Sequence, residues 1–169
     1  MKVLFRADEI AERVKVLGRE ISSCYRGGDL MVIGILKGSF MFLSDLVRQI
    51  DAPVQLDFVR LSSYMNAREP QGTVKITMDI ENDIKGRDVL IVDDILDTGQ
   101  SMLAFRRHLE DKSAQSVRVC TLLDKTYRRQ APIQPDFYGF RIDDGFVVGY
   151  GLDYAEQYRA LPDIYVLDT

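Results

Sequence analysis

Val89 to Met102 reads V-L-I-V-D-D-I-L-D-T-G-Q-S-M, and no other stretch restricts the fold as sharply. Four apolar residues in succession, Val89, Leu90, Ile91 and Val92, suit a strand buried on both faces, the habit of parallel sheets. Asp93 and Asp94 then fall at the carboxyl end of that strand, where open α/β sheets take their ligands. Asp97, Thr98, Gly99, Gln100 and Ser101 follow as a turn at the head of a helical pattern carrying Met102, Phe105 and Leu109. Free backbone N–H groups and the helix dipole make such a terminus attractive to phosphate. Carboxylates for sugar hydroxyls beside a phosphate cradle imply a site for a phosphorylated sugar. A receiver domain also carries an acidic pair after a V-L-I-V strand, but near its start; here the pair lies past the middle of 169 residues.

The rest of the chain fits an α/β unit. Ile10, Val14, Leu17 and Ile21 space out an amphipathic helix over about residues 8–25, closed by Gly27 and Gly28. Leu30 to Leu36 reads as a buried strand, and Phe40 to Ile50 as the returning helix. Val54, Leu56 and Phe58 alternate as a strand, as do Val74, Ile76 and Met78, with a long polar loop expected from Ser62 to Gly72. Strands are expected again near Ser116 to Leu123, Asp136 to Ile142, Phe146 to Tyr150 and Ile164 to Leu167. Strand and helix alternate early while the carboxyl end is rich in strands. The expected fold class is therefore α/β, an open, mostly parallel, doubly wound sheet flanked by helices, with a small hood lobe, in a single domain over residues 1–169.

Composition narrows the function classes. A hydrophobic share of 46% and a charged share of 28% exclude disorder, and the apolar runs are too short to span a bilayer. Asp8, Glu9 and Glu12 interrupt the Val3 to Phe5 stretch, so no signal-peptide pattern is present and a cytoplasmic location is expected. Cys24 and Cys120 lack metal-ligand spacing and read as reduced thiols. With 22 basic and 26 acidic residues the net charge is −4, which argues against nucleic acid as a partner.

Further stations share the chemistry of the first. Lys37-Gly38-Ser39 ends a buried strand with an ammonium and a glycine that lets a ligand approach the backbone, a setting for pyrophosphate. Ser62-Ser63-Tyr64 opens the long loop. Lys125 follows the apolar strand ending Leu122-Leu123-Asp124, and Phe146-Val147-Val148-Gly149-Tyr150-Gly151-Leu152-Asp153-Tyr154 places aromatic rings beside a glycine turn.

Taken in order, these segments resemble the type I phosphoribosyltransferases, and F-V-V-G-Y-x-L-D-Y is similar to the hypoxanthine-guanine branch; the likeness runs from about Leu30 to Arg159. The resemblance implies purine salvage, in which hypoxanthine or guanine and 5-phosphoribosyl 1-pyrophosphate give IMP or GMP and pyrophosphate. It implies Asp97 as the catalytic base, Asp93 and Asp94 on the ribose hydroxyls, and Thr98, Gly99, Gln100 and Ser101 around the 5-phosphate. Lys37, Gly38 and Arg159 would bind pyrophosphate, and Ser63 and Tyr64 would cover the reaction centre. Lys125 would read the six-oxo group, Phe146 would stack on the purine, and main-chain carbonyls near Val147 and Asp153 would accept its N–H groups. Magnesium is the implied cofactor, with Asp93, Asp94 and Asp153 as its ligands, and a homodimer or homotetramer is the implied assembly. In the family the Lys37 loop can hold a cis, non-proline bond, here Leu36-Lys37. Two residues depart from some relatives, Gln100 standing where they carry lysine and Asp93 where they carry glutamate. Arg128 and Arg129 receive no role, and the choice among hypoxanthine, guanine and xanthine stays open. A regulator that binds the same sugar phosphate is the alternative of another class; it needs a nucleic-acid reader, and no helix-turn-helix pattern is apparent.

Overall fold

Residues 30–36 and 88–96 form neighbouring central strands because each carries apolar side chains on both faces, leaving no side that could meet water. The structure, a computed structural model, describes residues 1–63 and 74–167. In chain order it runs β1 (Lys2–Phe5), α1 (Ala7–Cys24), β2 (Leu30–Leu36), α2 (Phe40–Val47), β3 (Val54–Ser63), β4 (Val74–Met78), β5 (Asp88–Leu96), α3 (Gln100–Asp111), β6 (Ser116–Lys125), a 3₁₀ turn (Thr126–Arg128), β7 (Phe137–Ile142), β8 (Phe146–Val148) and β9 (Ile164–Leu167).

The main sheet is six-stranded in the order β4-β3-β2-β5-β6-β7, parallel throughout except for the antiparallel edge strand β4. Alternate residues of β2 and β5 serve opposite faces. Leu30, Val32, Leu90 and Val92 pack with Ile10, Leu17 and Ile21 of α1 and with Phe42 and Leu46 of α2. Met31, Ile33, Val89 and Ile91 pack with Met102, Phe105 and Leu109 of α3. Helices thus cover both faces, and the chain winds one way from β2 to β3 and the other way from β5 to β6. The crevice at the carboxyl ends of β2 and β5 is the topological switch point.

The hood is a separate three-stranded antiparallel sheet in the order β1-β9-β8. Its carboxyl-terminal strands agree with expectation, but β1 was not anticipated: Val3 to Phe5 is too short to read as a strand and finds its partner in Ile164–Val166. Other boundaries shift for identifiable reasons. The helix expected to Ile50 stops at Val47, where Gln49 and Ile50 donate back to Leu46 and Val47 in the tighter i−3 pattern. β6 runs on to Lys125 because Asp124 and Lys125 pair with Arg141 and Ile142 of β7. The strand expected to Tyr150 ends at Val148, since positive φ at Gly149 and Tyr150 turns the chain out of the ladder. β3 takes in Ser62 and Ser63, and the remainder of the expected Ser62 to Gly72 loop lies outside the described residues. No described helix is long and apolar enough to cross a membrane.

One buried carboxylate fastens the segment after β4 to the sheet. Asp57 of β3 is 7% exposed; its Oδ1 accepts from Phe58 N at 2.8 Å and its Oδ2 from Glu81 N, Asn82 N and Asn82 Nδ2 at 2.9 Å. Burial alone would push this carboxyl up, but the N–H groups of Asn82, Phe58 and Glu81 outweigh it and hold Asp57 below the usual carboxylate range. A depressed folded-state pKa stabilises above the unfolded value and loses that stabilisation as pH falls through the folded one. Asp57→Ala is therefore expected to lower unfolding stability by about 1.5–3 kcal/mol at neutral pH. Urea titrations down the pH scale should show the gap between wild type and variant closing below the usual carboxylate range; a constant gap would show that the charge is not the stabilising element.

Candidate active site

Both loops that leave the switch point are shaped by close approach. A Cβ on residue 38 would lie 1.7 Å from Asp94 Oδ2, so glycine is what lets the Lys37 loop lie against the acidic pair. The Leu36-Lys37 bond, left open by the sequence, is cis. On the other side Gly99, at φ 80°, turns the chain into α3, and a Cβ there would be 2.7 Å from Ile133 Cγ2. The first N–H groups of α3 consequently open onto a cavity of about 240 Å³ lined by Asp93, Asp97, Thr98, Gly99 and Ser101. The Gln100 side chain is engaged with a neighbouring loop, its Nε2 donating to Gln130 Oε1 at 2.9 Å.

A neighbouring cavity of about 270 Å³ is lined by Asp94, Asp97, Lys125, Phe146, Val147 and Asp153, among others. Lys125 is buried; its Nζ donates to Gly145 O at 3.0 Å and pairs with Asp144 Oδ1 at 3.1 Å. An ammonium has three N–H donors, so one remains without a partner among the described residues. The Gly145 N–H and then Lys125 hold the Asp144 carboxyl below its usual range. Among the described residues the buried Oδ1 atom of Asp97 has no hydrogen-bond partner, while Oδ2 lies 3.4 Å from Arg128 Nη1. Phe146 is partly exposed and packs edge-on against Tyr154, with ring centroids 5.4 Å apart. A donor, an acceptor and an aromatic face therefore line one cavity.

Asp93 and Asp94 are neighbours within β5 rather than beyond it, because the strand expected to end at Val92 continues to Leu96 by pairing with Thr121, Leu123 and Asp124 of β6. Burial, and then the charge of Asp94, push the Asp93 carboxyl well above the usual carboxylate range; burial raises Asp94 as well. Once ionised, these hard oxygen donors fit magnesium, which needs only one or two carboxylates when phosphates and water complete its shell, and its charge would offset their repulsion. Among the described residues no three acidic, His or Cys side chains form a metal-binding group, and Asp153 has protein partners of its own. Its Oδ1 is 2.8 Å from Arg159 Nη2 and its Oδ2 accepts from Glu156 N at 2.8 Å. Asp153 is thus paired with the Arg159 guanidinium, while Asp93 and Asp94 face each other in β5.

Lys37 and Arg159 meet at Glu156, whose Oε2 is 2.7 Å from Lys37 Nζ and whose Oε1 is 3.2 Å from Arg159 Nη2. Lys37 and then Arg159 hold the Glu156 carboxyl below its usual range. Ser63 ends β3 opposite Val74, and Tyr64 lies outside the described residues.

Two residues left without roles acquire positions. Arg128 borders the cavity at Asp97. Arg129 turns inward: it donates to Leu96 O, Asp97 O and Ile133 O at 3.1, 2.9 and 2.7 Å, and to Asp124 Oδ1 at 2.5 Å. The Arg-Arg doublet was visible, but only the 3₁₀ turn decides which of the two points in. Glu156, Asp144 and Asp124 carried no sequence signal of their own, since acidic residues in loops and at strand ends are ordinarily solvated.

The family model for the phosphoribosyl transferase domain matches residues 4–155. The chain is 45% identical over 166 residues to a hypoxanthine-guanine phosphoribosyltransferase of Bacillus subtilis, covering 98% of this chain and 92% of that one. It is 43% identical over 164 residues to a hypoxanthine phosphoribosyltransferase of Salmonella typhimurium, covering 96% and 92%. Among solved structures, a hypoxanthine phosphoribosyltransferase from Staphylococcus aureus superposes with a TM-score of 0.95 at 43% identity, covering 99% of this chain and 91% of that one. A sheet that turns its ligand loops outward at β2 and β5, matched nearly end to end by these proteins, makes the chain a member of the phosphoribosyl transferase family.

Proposed function

We propose that residues 1–169 act as one catalytic domain that joins hypoxanthine or guanine to 5-phosphoribosyl 1-pyrophosphate, giving IMP or GMP and pyrophosphate in purine salvage. The observation that carries this reading is the cavity in which the spare donor of Lys125, the unpartnered Asp97 Oδ1 and the Phe146 ring lie next to the Gly99 phosphate cradle. The 5-phosphate sits on backbone N–H groups from Thr98 to Ser101 and on the Thr98 and Ser101 hydroxyls. Asp93 and Asp94 hold the ribose hydroxyls, and Lys37 and Arg159 hold the pyrophosphate. Phe146 stacks on the purine while backbone carbonyls at Val147 and Asp153 accept its N–H groups. The nine-position nitrogen attacks the anomeric carbon, the bond to pyrophosphate oxygen breaks, and Asp97 takes the proton from the seven-position nitrogen. Bound by Asp93 and Asp94, magnesium would neutralise the charge of the leaving pyrophosphate. A screen of hypoxanthine, guanine, xanthine, adenine and uracil with the sugar phosphate tests the proposal; absence of nucleotide from every 6-oxopurine would sink it. We further propose a cytoplasmic homodimer or homotetramer; sedimentation measures the assembly state.

Asp97→Asn keeps the size of the side chain and removes the base. Its single-turnover rate with hypoxanthine is expected to fall by about a hundredfold or more, the usual scale for loss of a general base. Single-turnover measurement avoids masking by slow product release. An unchanged rate would remove Asp97 from the role.

Lys125 decides between oxo and amino purines, because an ammonium facing an amino group sets donor against donor. Discrimination by buried polar groups reaches about 10⁴-fold, so negligible adenine turnover is expected. Lys125→Ala should lose more kcat/KM on hypoxanthine than on adenine. Comparison of the two constants measures this, and an undiminished ratio would show that Lys125 does not read the base.

Chelation of divalent cations is expected to abolish turnover, and magnesium or manganese to restore it. Because the Asp93–Asp94 pair titrates above the usual carboxylate range, it sheds protons as pH rises through that raised range, and cation affinity should rise with it. Calorimetry of magnesium binding across pH checks the sign; full activity after exhaustive chelation would exclude the metal.

A further inference from the structure

We propose that Glu156 is an internal competitor for pyrophosphate: its carboxylate occupies both cations, Lys37 and Arg159, that the diphosphate group needs, and it is displaced whenever that group binds. The inference rests on the reading of the site given above. One carboxylate oxygen faces each cation, at 2.7 Å from Lys37 Nζ and 3.2 Å from Arg159 Nη2, so a single anion bridges the β2 loop and the hood as a phosphate would.

Magnitude separates a competitor from a permanent strut. The Arg129–Asp124 pair, at 8% and 0% side-chain exposure, is buried and fixed. Glu156 is 65% exposed, Lys37 46% and Arg159 19%, so in each pair the carboxylate stays open to water. Ion pairs this open to water are each worth at most about a fivefold change in an equilibrium constant, and a multiply charged ligand overcomes them readily.

The backbone around Glu156 suits displacement. Ala155, Glu156 and Tyr158 have φ of 51°, 63° and 74°, a region that residues with side chains rarely adopt. The turn is held by Glu156 N on Asp153 Oδ2 and by mutual bonds between Tyr154 and Gln157. Releasing the carboxylate frees the Lys37 ammonium and leaves Arg159 paired with Asp153 alone, its Nη1 still on Gly151 O at 2.8 Å. Since sugar substrate and pyrophosphate product share the diphosphate, Glu156 weakens both and hastens product departure.

The test is calorimetric titration of magnesium pyrophosphate into wild type, Glu156→Ala, Glu156→Gln and Glu156→Asp, with thermal unfolding to establish that each variant is folded. Binding in the Ala and Gln variants is expected to be about threefold to tenfold tighter. The Asp variant should gain as well, because its carboxylate keeps the charge but is one methylene too short to span both cations. KM for the sugar phosphate should fall by a similar factor while KM for hypoxanthine stays put. Unchanged or weaker pyrophosphate binding in the Ala and Gln variants, or no binding by any of the proteins, overturns the proposal. So does a gain confined to Ala and Gln, since charge alone would then explain it. Wild-type protein that binds pyrophosphate but makes no nucleotide would instead refute the transferase reading and leave the binding comparison standing.

Discussion

The guanidinium of Arg129 ties together what the main sheet would otherwise leave apart. Its N–H groups reach the carbonyls at the end of β5, a carbonyl in the loop before β7, and the buried carboxylate at the end of β6. Gln130 and Ala131 then donate to Thr98 O at 2.9 and 3.0 Å, so the segment after β6 also sets the backbone of the phosphate cradle. Asp124 is fully buried and meets Arg141 as well, so a missing partner would leave charge unpaired in the interior. Lys125 is the next residue, and its place in the cavity is inherited from that anchorage.

Around this anchor the site is electrostatically poised. Carboxylates at Asp93 and Asp94 are crowded and raised, whereas Asp144 and Glu156 are drawn down by the cations they neutralise. Each cation with a proposed ligand role is paired with a carboxylate: Lys125 with Asp144, Lys37 with Glu156, and Arg159 with Asp153 and Glu156. Ligand binding in such a site is an exchange of ion pairs, which keeps the resting protein free of isolated charge.

The legible part of the fold was the part governed by burial. Strands β2 and β5 have apolar runs on both faces, α1 and α3 keep helical spacing, and the Asp-Thr-Gly turn stands where β5 stops, although the acidic pair lies within that strand rather than past it; each is a local pattern. What escaped depends on partners distant in sequence. β1 exists because of residues more than 150 positions away, and the inward orientation of Arg129 is set by the Leu96 and Asp97 carbonyls and by its packing beside Gly99, some thirty positions back. Glu156 and Asp153 were separable only in three dimensions, where Arg159 claims the second and shares the first.

The order of strands in the hood has a consequence for biosynthesis. β9 lies between β1 and β8, so neither flanking strand has its ladder until β9 has been made. On the ribosome the main sheet can form while Lys2–Phe5 waits, and Val147, which lines the cavity beside Lys125, is fixed late. A nascent chain would thus hold a formed Gly99 turn before the hood could complete the neighbouring cavity.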